Sequence, residues 1–175
     1  MKVGFIGLGI MGKPMAKNLV KAGVELLVND DFAKAAVEEV VAAGAKEATY
    51  AEIGAECERI ILMVPSGDIS KSILFGEGGV ASTIKPGAIV CDMSSVTPVE
   101  SQECYNGLKE KGAGFIDAPV SGGEPGAINA SLAIMAGGDK ADFDAFQEYF
   151  DILGNSAILI GPSGSGSVTK LANQI

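Results

Sequence analysis

Residues 3–19 read VGFIGLGIMGKPMAKNL. A short apolar run, KVGFI at residues 2–6, leads into Gly7, Gly9 and Gly12. A stretch with apolar residues at helical spacing follows, from Met11 to Ala22, and Gly23 closes it. Strand, G-x-G-x-x-G turn and helix together make the opening of a βαβ unit. Each glycine has its own task. One permits the tight turn, one lets the backbone approach a pyrophosphate, and one lets helix and strand pack closely. The helix N-terminus adds free N–H groups and about half a positive charge. Residues 7–12, with Leu8, Ile10 and Met11 carried between the glycines, are therefore a candidate dinucleotide-binding loop.

A second apolar run, ELLVND at residues 25–30, ends on Asp30, 18 residues after Gly12. An acid that binds ribose hydroxyls belongs at this place. Asp31 follows directly, and no basic residue appears before Lys34. A 2′-phosphate would meet two carboxylates, and one such contact at ~4 Å costs about 4 kcal/mol at an effective dielectric near 20. NAD is expected, with NADP disfavoured.

Outward from this unit, apolar runs alternate with helical patterns. Strands are read at RIILMVP (59–65), GAIVCDMSS (87–95), GAGFIDAPVSGG (112–123), ASLAIMAGG (130–138) and SAILIG (156–161). Helices are read at 32–43, 69–75, 98–111 and 140–153. Strands separated by helices of this length predict a mostly parallel sheet covered on both faces. The composition changes only at GPSGSGS (161–167), a candidate boundary that divides residues 1–163 from 164–175.

Composition removes several function classes. The net charge of −9 opposes nucleic acid or an anionic membrane as partner. The chain has no histidine, so histidine triads, histidine-ligated zinc and a histidine base are all excluded. No metal site is read. The three cysteines, Cys57, Cys91 and Cys104, form no CxxC pair and read as reduced thiols of a cytoplasmic protein. The N-terminal run lacks a cleavage site and continues into a helix pattern, and no run reaches the ~18 apolar residues of a membrane span.

Two later segments carry further candidates. DAPVSGG (117–123) ends a strand in Ser121, Gly122 and Gly123, a loop type that presents backbone N–H groups to a carboxylate. GSGSVTKLANQ (164–174) opens a helix with Lys170, Asn173 and Gln174 on neighbouring turns.

FIGLGIMGKPMAKNLVKAG, DMSSVTP, DAPVSGGEPGA and GSGSVTKLANQ together resemble the β-hydroxyacid dehydrogenase family. That family includes 3-hydroxyisobutyrate dehydrogenase, tartronate semialdehyde (2-hydroxy-3-oxopropionate) reductase and, more distantly, 6-phosphogluconate dehydrogenase. DAPVSGGEPGAI and VTKLANQ are most similar to the tartronate semialdehyde reductase branch. The resemblance implies an N-terminal Rossmann-like, doubly wound domain, then a long interdomain helix, then an all-helical domain. Residues 164–175 would be the start of that helix, with the helical domain beyond them; the 175 residues alone would then be inactive for want of half the cleft.

The resemblance also implies roles. Lys170 matches the catalytic lysine that gives or takes the hydroxyl proton while hydride moves to or from the nicotinamide. Ser121, Gly122 and Gly123 match the loop that holds the substrate carboxylate. Ser95 matches the hydroxyl residue near the nicotinamide ribose, and Val64 and Pro65 the strand end along the cofactor. Many members carry asparagine four positions after the lysine. Here Gln174 stands there with Asn173 beside it, so either amide is a candidate for the substrate contact. The implied substrate is a small hydroxyacid or semialdehyde, and a homo-oligomer is expected. The competing readings are a non-enzymatic NAD-binding module, or the remnant of a broken gene, and an imine-reducing relative. Lys170 counts against the last.

Overall fold

The structure, a computed structural model, describes residues 1–173. Its sheet begins with β1 (Lys2–Ile6), whose Val3, Phe5 and Ile6 have no exposed surface. A strand apolar on both faces belongs in the middle of a parallel sheet. The helix α1 (Gly12–Lys21) buries Met15, Ala16 and Leu19 on one stripe. It leads to β2 (Glu25–Asn29), which pairs with β1 in parallel. Next come α2 (Lys34–Ala43), the two-residue β3 (Lys46–Glu47) and α3 (Tyr50–Glu56). These are followed by β4 (Arg59–Leu62), α4 (Gly67–Phe75), β5 (Ile89–Asp92), α5 (Pro98–Lys109) and β6 (Gly114–Asp117).

These six strands lie parallel in the order β3-β2-β1-β4-β5-β6. This is the doubly wound, Rossmann-type order, with its switch point between β1 and β4. Side chains alternate across the sheet into two cores. One holds Phe5, Met15, Leu19, Phe146 and Phe150; the other holds Ile6, Ile53, Ile60, Leu108 and Phe115.

The remaining elements extend the sheet. β7 (Val120–Ser121) is followed by α6 (Gly123–Asn129), and β8 (Leu132–Gly137) runs antiparallel to β6 and β7. α7 (Lys140–Ala145) and α8 (Gln147–Leu153) lead into β9 (Gly154–Gly161), which pairs in parallel with β8. α9 (Ser165–Asn173) closes the described chain.

Four features differ from the sequence reading. The helix expected at 140–153 is broken at Phe146, whose amide bonds back three residues to Phe143 while its ring is fully buried. α3 was not expected, although Thr49 and Glu52 form a complete capping box at its start. β3 is two residues long and has no pattern to read. Residues 123–129, where no helix was read, form α6, which begins on the last glycine of the expected loop and contains Pro125 and Gly126.

Candidate functional site

The C-terminal ends of β1, β2 and β4 enclose a cleft of about 550 Å³ at the switch point. Its floor is Gly7, Gly9, Ile10, Met11 and Gly12. Asp30, Asp31, Phe32 and Tyr50 form one rim, and Met63, Val64, Pro65 and Ile69 form another. Ligands of open α/β sheets bind at this place.

The glycines are not equivalent. A Cβ on Gly7, which has φ +102°, would fall on the Met63 carbonyl, and a Cβ on Gly12 would fall on the Gly7 carbonyl. Those two glycines close the turn upon itself. A Cβ on Gly9 would meet nothing within 4 Å. Its missing side chain therefore opens space toward the cleft, as an approaching pyrophosphate requires. No side chain caps α1, and no acidic residue lies in its first turn. The positive end of the helix is left available to an anion.

Asp30 holds the loop together. Its Oδ2 accepts the Leu8 N–H at 2.7 Å, and its Oδ1 accepts the N–H groups of Phe32 and Ala33, both at 2.8 Å. Burial pushes the carboxyl upward, but the three donors, with Lys34 nearby, outweigh it and hold Asp30 below the usual aspartate value. Leu8, expected among the cofactor contacts, is engaged elsewhere. Its side chain is buried and its amide belongs to Asp30.

Asp31 is exposed and accepts the Tyr50 hydroxyl at 2.9 Å. Burial, and then this bond, raise the Tyr50 phenol well above its ordinary value. Tyr50 was not read as a site residue. The local signal was the capping box that starts its helix, but its meeting with Asp31 is a tertiary contact.

The other expected residues lie outside the cleft lining. Ser95 is exposed just beyond β5. Its neighbour Ser94, missed by sequence, is fully buried and accepts the Val64 N–H at 2.8 Å, tying the β5 end to β4. Ser121 closes β7 and is exposed; Gly122 and Gly123 follow with φ +138° and +60°, a conformation that favours glycine. Lys170 is half-buried on α9, and Asn173 points its amide at the Met135 sulfur, 3.3 Å away. Gln174 lies outside the described residues. None of the described His, Cys, Asp and Glu residues cluster as a metal site, and no described helix is long and apolar enough to cross a membrane.

Residues 2–161 match the family described as the NAD binding domain of 6-phosphogluconate dehydrogenase. The chain is 43% identical over 176 residues to 2-hydroxy-3-oxopropionate reductase of Escherichia coli (strain K12), covering 100% of this chain and 60% of that protein. It is 38% identical over 173 residues to the mitochondrial 3-hydroxyisobutyrate dehydrogenase of Rattus norvegicus, covering 99% and 52%. The solved structure of 3-hydroxyisobutyrate dehydrogenase from Mycobacterium tuberculosis with L-serine superimposes with a TM-score of 0.92 at 31% identity, covering 98% of this chain and 58% of that one. The chain thus spans between 52% and 60% of the length of these relatives. Strand order, glycine turn and the match across 2–161 agree: the chain belongs to the family of the NAD binding domain of 6-phosphogluconate dehydrogenase, among the β-hydroxyacid dehydrogenases.

Proposed function

We propose that this chain is the cofactor-binding part of an NAD-dependent oxidoreductase acting on a small β-hydroxyacid or its semialdehyde, of the 2-hydroxy-3-oxopropionate or 3-hydroxyisobutyrate type. The observation that carries the reading is the cleft in which Gly9 alone of the three motif glycines faces open space beneath a rim of two carboxylates. The bound dinucleotide would accept or deliver hydride at its nicotinamide. The chain's own residues would do the rest. The open α1 terminus and the Gly9–Gly12 backbone would hold the pyrophosphate. Val64 and Pro65 would lie along the cofactor.

Three of the roughly four acceptor sites of the Asp30 carboxylate are already taken, so one site on Oδ2 is left for a ribose hydroxyl. Asp31, held by Tyr50, would supply the rest of the ribose contact and repel a 2′-phosphate. This supports NAD over NADP.

Lys170 is assigned the proton transfer at the substrate hydroxyl, with Ser121, Gly122 and Gly123 holding the substrate carboxylate and Ser95 near the nicotinamide ribose. An amide of Asn173 or Gln174 would complete the contact. Residues 1–163 would form the dinucleotide domain, and 164–175 the beginning of the helix that leaves it. NADH consumption with 2-hydroxy-3-oxopropionate, by a protein that carries this chain together with the expected helical domain, tests the reading. Turnover that Lys170→Ala abolishes supports it; turnover that survives Lys170→Ala removes the lysine from the chemistry.

A non-enzymatic NAD-binding module is the second reading, but it gives the exposed Ser121–Gly123 loop and Lys170 no task.

A further inference from the structure

Two carboxylates lie buried at the C-terminal ends of β5 and β6. They are Asp92 and Asp117, opposite each other on adjacent parallel strands. Neither lines the dinucleotide cleft. Asp117 has no exposed surface, and both of its oxygens meet the beginning of α9. Oδ1 accepts the Gly164 N–H at 2.8 Å, and Oδ2 accepts the Ser167 N–H at 2.9 Å. A helix leaves its first amides without internal partners, and a carboxylate placed there also faces the positive end of the helix dipole. Most such caps come from the residue next to the helix. This one comes from a strand 47 residues earlier in the chain.

The surroundings fix the same end of the helix. A Cβ on Gly166 would fall on the carbonyls of Met135 and Asp117, so the helix backbone sits directly on the sheet. The Ser167 hydroxyl lies 2.9 Å from that of Ser101 on α5, and both serines are buried. The start of α9 is therefore docked. Lys170 follows Ser167 by about one turn. Asp117 also stands on the segment that runs on through β7 to Ser121.

We propose that Asp117 is a positioning residue: by joining the end of β6 to the first turn of α9, it holds Lys170 in fixed relation to the Ser121–Gly123 loop without touching substrate or cofactor. This rests on the roles given above to Lys170 and that loop. Asparagine is not a neutral replacement. It offers one acceptor oxygen for two amides and turns an NH₂ group against the other donor.

The test compares wild type, Asp117→Asn and Ser101→Ala by amide hydrogen exchange across 164–173, by competitive acylation of Lys170 and by NADH titration. In Asp117→Asn, exchange along α9 rises about five- to tenfold, the loss expected for one N-terminal cap. The Lys170 labelling rate changes with it, while NADH affinity stays within about twofold because the cleft is elsewhere. Ser101→Ala keeps both Asp117 bonds but removes one contact of Ser167, so its exchange and its Lys170 labelling move less than in Asp117→Asn. Unchanged exchange in Asp117→Asn overturns the proposal. So does faster exchange with unchanged Lys170 labelling, because Asp117 would then serve stability alone.

Should Asp117→Asn not fold, the wild-type chain decides by pH titration, with Asp92→Asn separating the neighbouring carboxyl. The amide signals of Gly164 and Ser167 and the signal of isotopically methylated Lys170 must share one midpoint, and amides that move without Lys170 overturn the proposal. Turnover that survives Lys170→Ala would defeat the functional reading instead, and leaves these placement results to stand or fall by themselves.

Discussion

The Leu8 N–H donates to Asp30 Oδ2 at 2.7 Å, across the 22 residues that separate β1's turn from β2's end. The acid expected to face a ribose is thus also the brace of the glycine loop. Its carboxyl is held below the usual aspartate value of 3.8. A depressed carboxyl contributes stability above its unfolded value, and that contribution is lost as pH falls through the folded value. Asp30→Ala is expected to cost about 1–3 kcal/mol by orphaning amides and to remove the acid-side slope between pH 3.8 and the folded value. Urea unfolding across that range measures both, and an unaltered slope would contradict the brace.

Asp31 has the opposite character, since it is exposed and has Tyr50 as its side-chain partner. Asp31→Arg, with Asp30 left in place, should shift preference toward NADPH by about tenfold or more, because one repulsion of several kcal/mol becomes an attraction. Tyr50→Phe should move the ratio in the same direction by a few-fold at most. Competitive titration of both cofactors measures the two ratios.

Gly9 and Gly7 should fail differently when changed to alanine. Gly7→Ala meets the Met63 carbonyl and a backbone at φ +102°, so a stability loss of about 2 kcal/mol or more is expected. Gly9→Ala meets no protein atom, so its melting temperature should stay near wild type while cofactor affinity falls. Calorimetric unfolding beside cofactor titration separates the two.

The buried Asp92 runs against Asp30. Burial raises its carboxyl above 3.8, and the Ser94 bonds only partly oppose that. A raised carboxyl keeps a proton in the folded chain that the unfolded chain releases, so stability falls as pH rises from 3.8 through the folded value. Asp92→Asn should flatten that decline and be neutral or stabilising near neutral pH, as replacing a buried charge often is. Denaturation midpoints in the two chains at several pH values check it.

The parallel sheet and its glycine turn were legible because their signals are local. Buried strands carry short continuous apolar runs, IILMV at residues 60–64 and AIVC at 88–91, and the turn has fixed spacing. What escaped was tertiary or weakly patterned. α6 contains Pro125 and Gly126 and is shaped by packing rather than propensity. Ser94 and Ser95 are adjacent and chemically alike, and only the structure shows that Ser94 is the one turned inward to Val64. The docking of the helix bearing Lys170 had no local signal either: its first turn is bonded to Asp117 and Ser101, contacts that span 47 to 66 residues of sequence.

Calorimetric titration of the chain with NADH and with NADPH, repeated on Gly9→Ala, probes the cleft most directly. NADH should bind at least about tenfold tighter than NADPH, the equivalent of ~1.4 kcal/mol, and Gly9→Ala should lose about as much for NADH while remaining folded. Equal or tighter binding of NADPH, or a Gly9→Ala chain that binds NADH as wild type does, would contradict the assignment of this cleft to NAD.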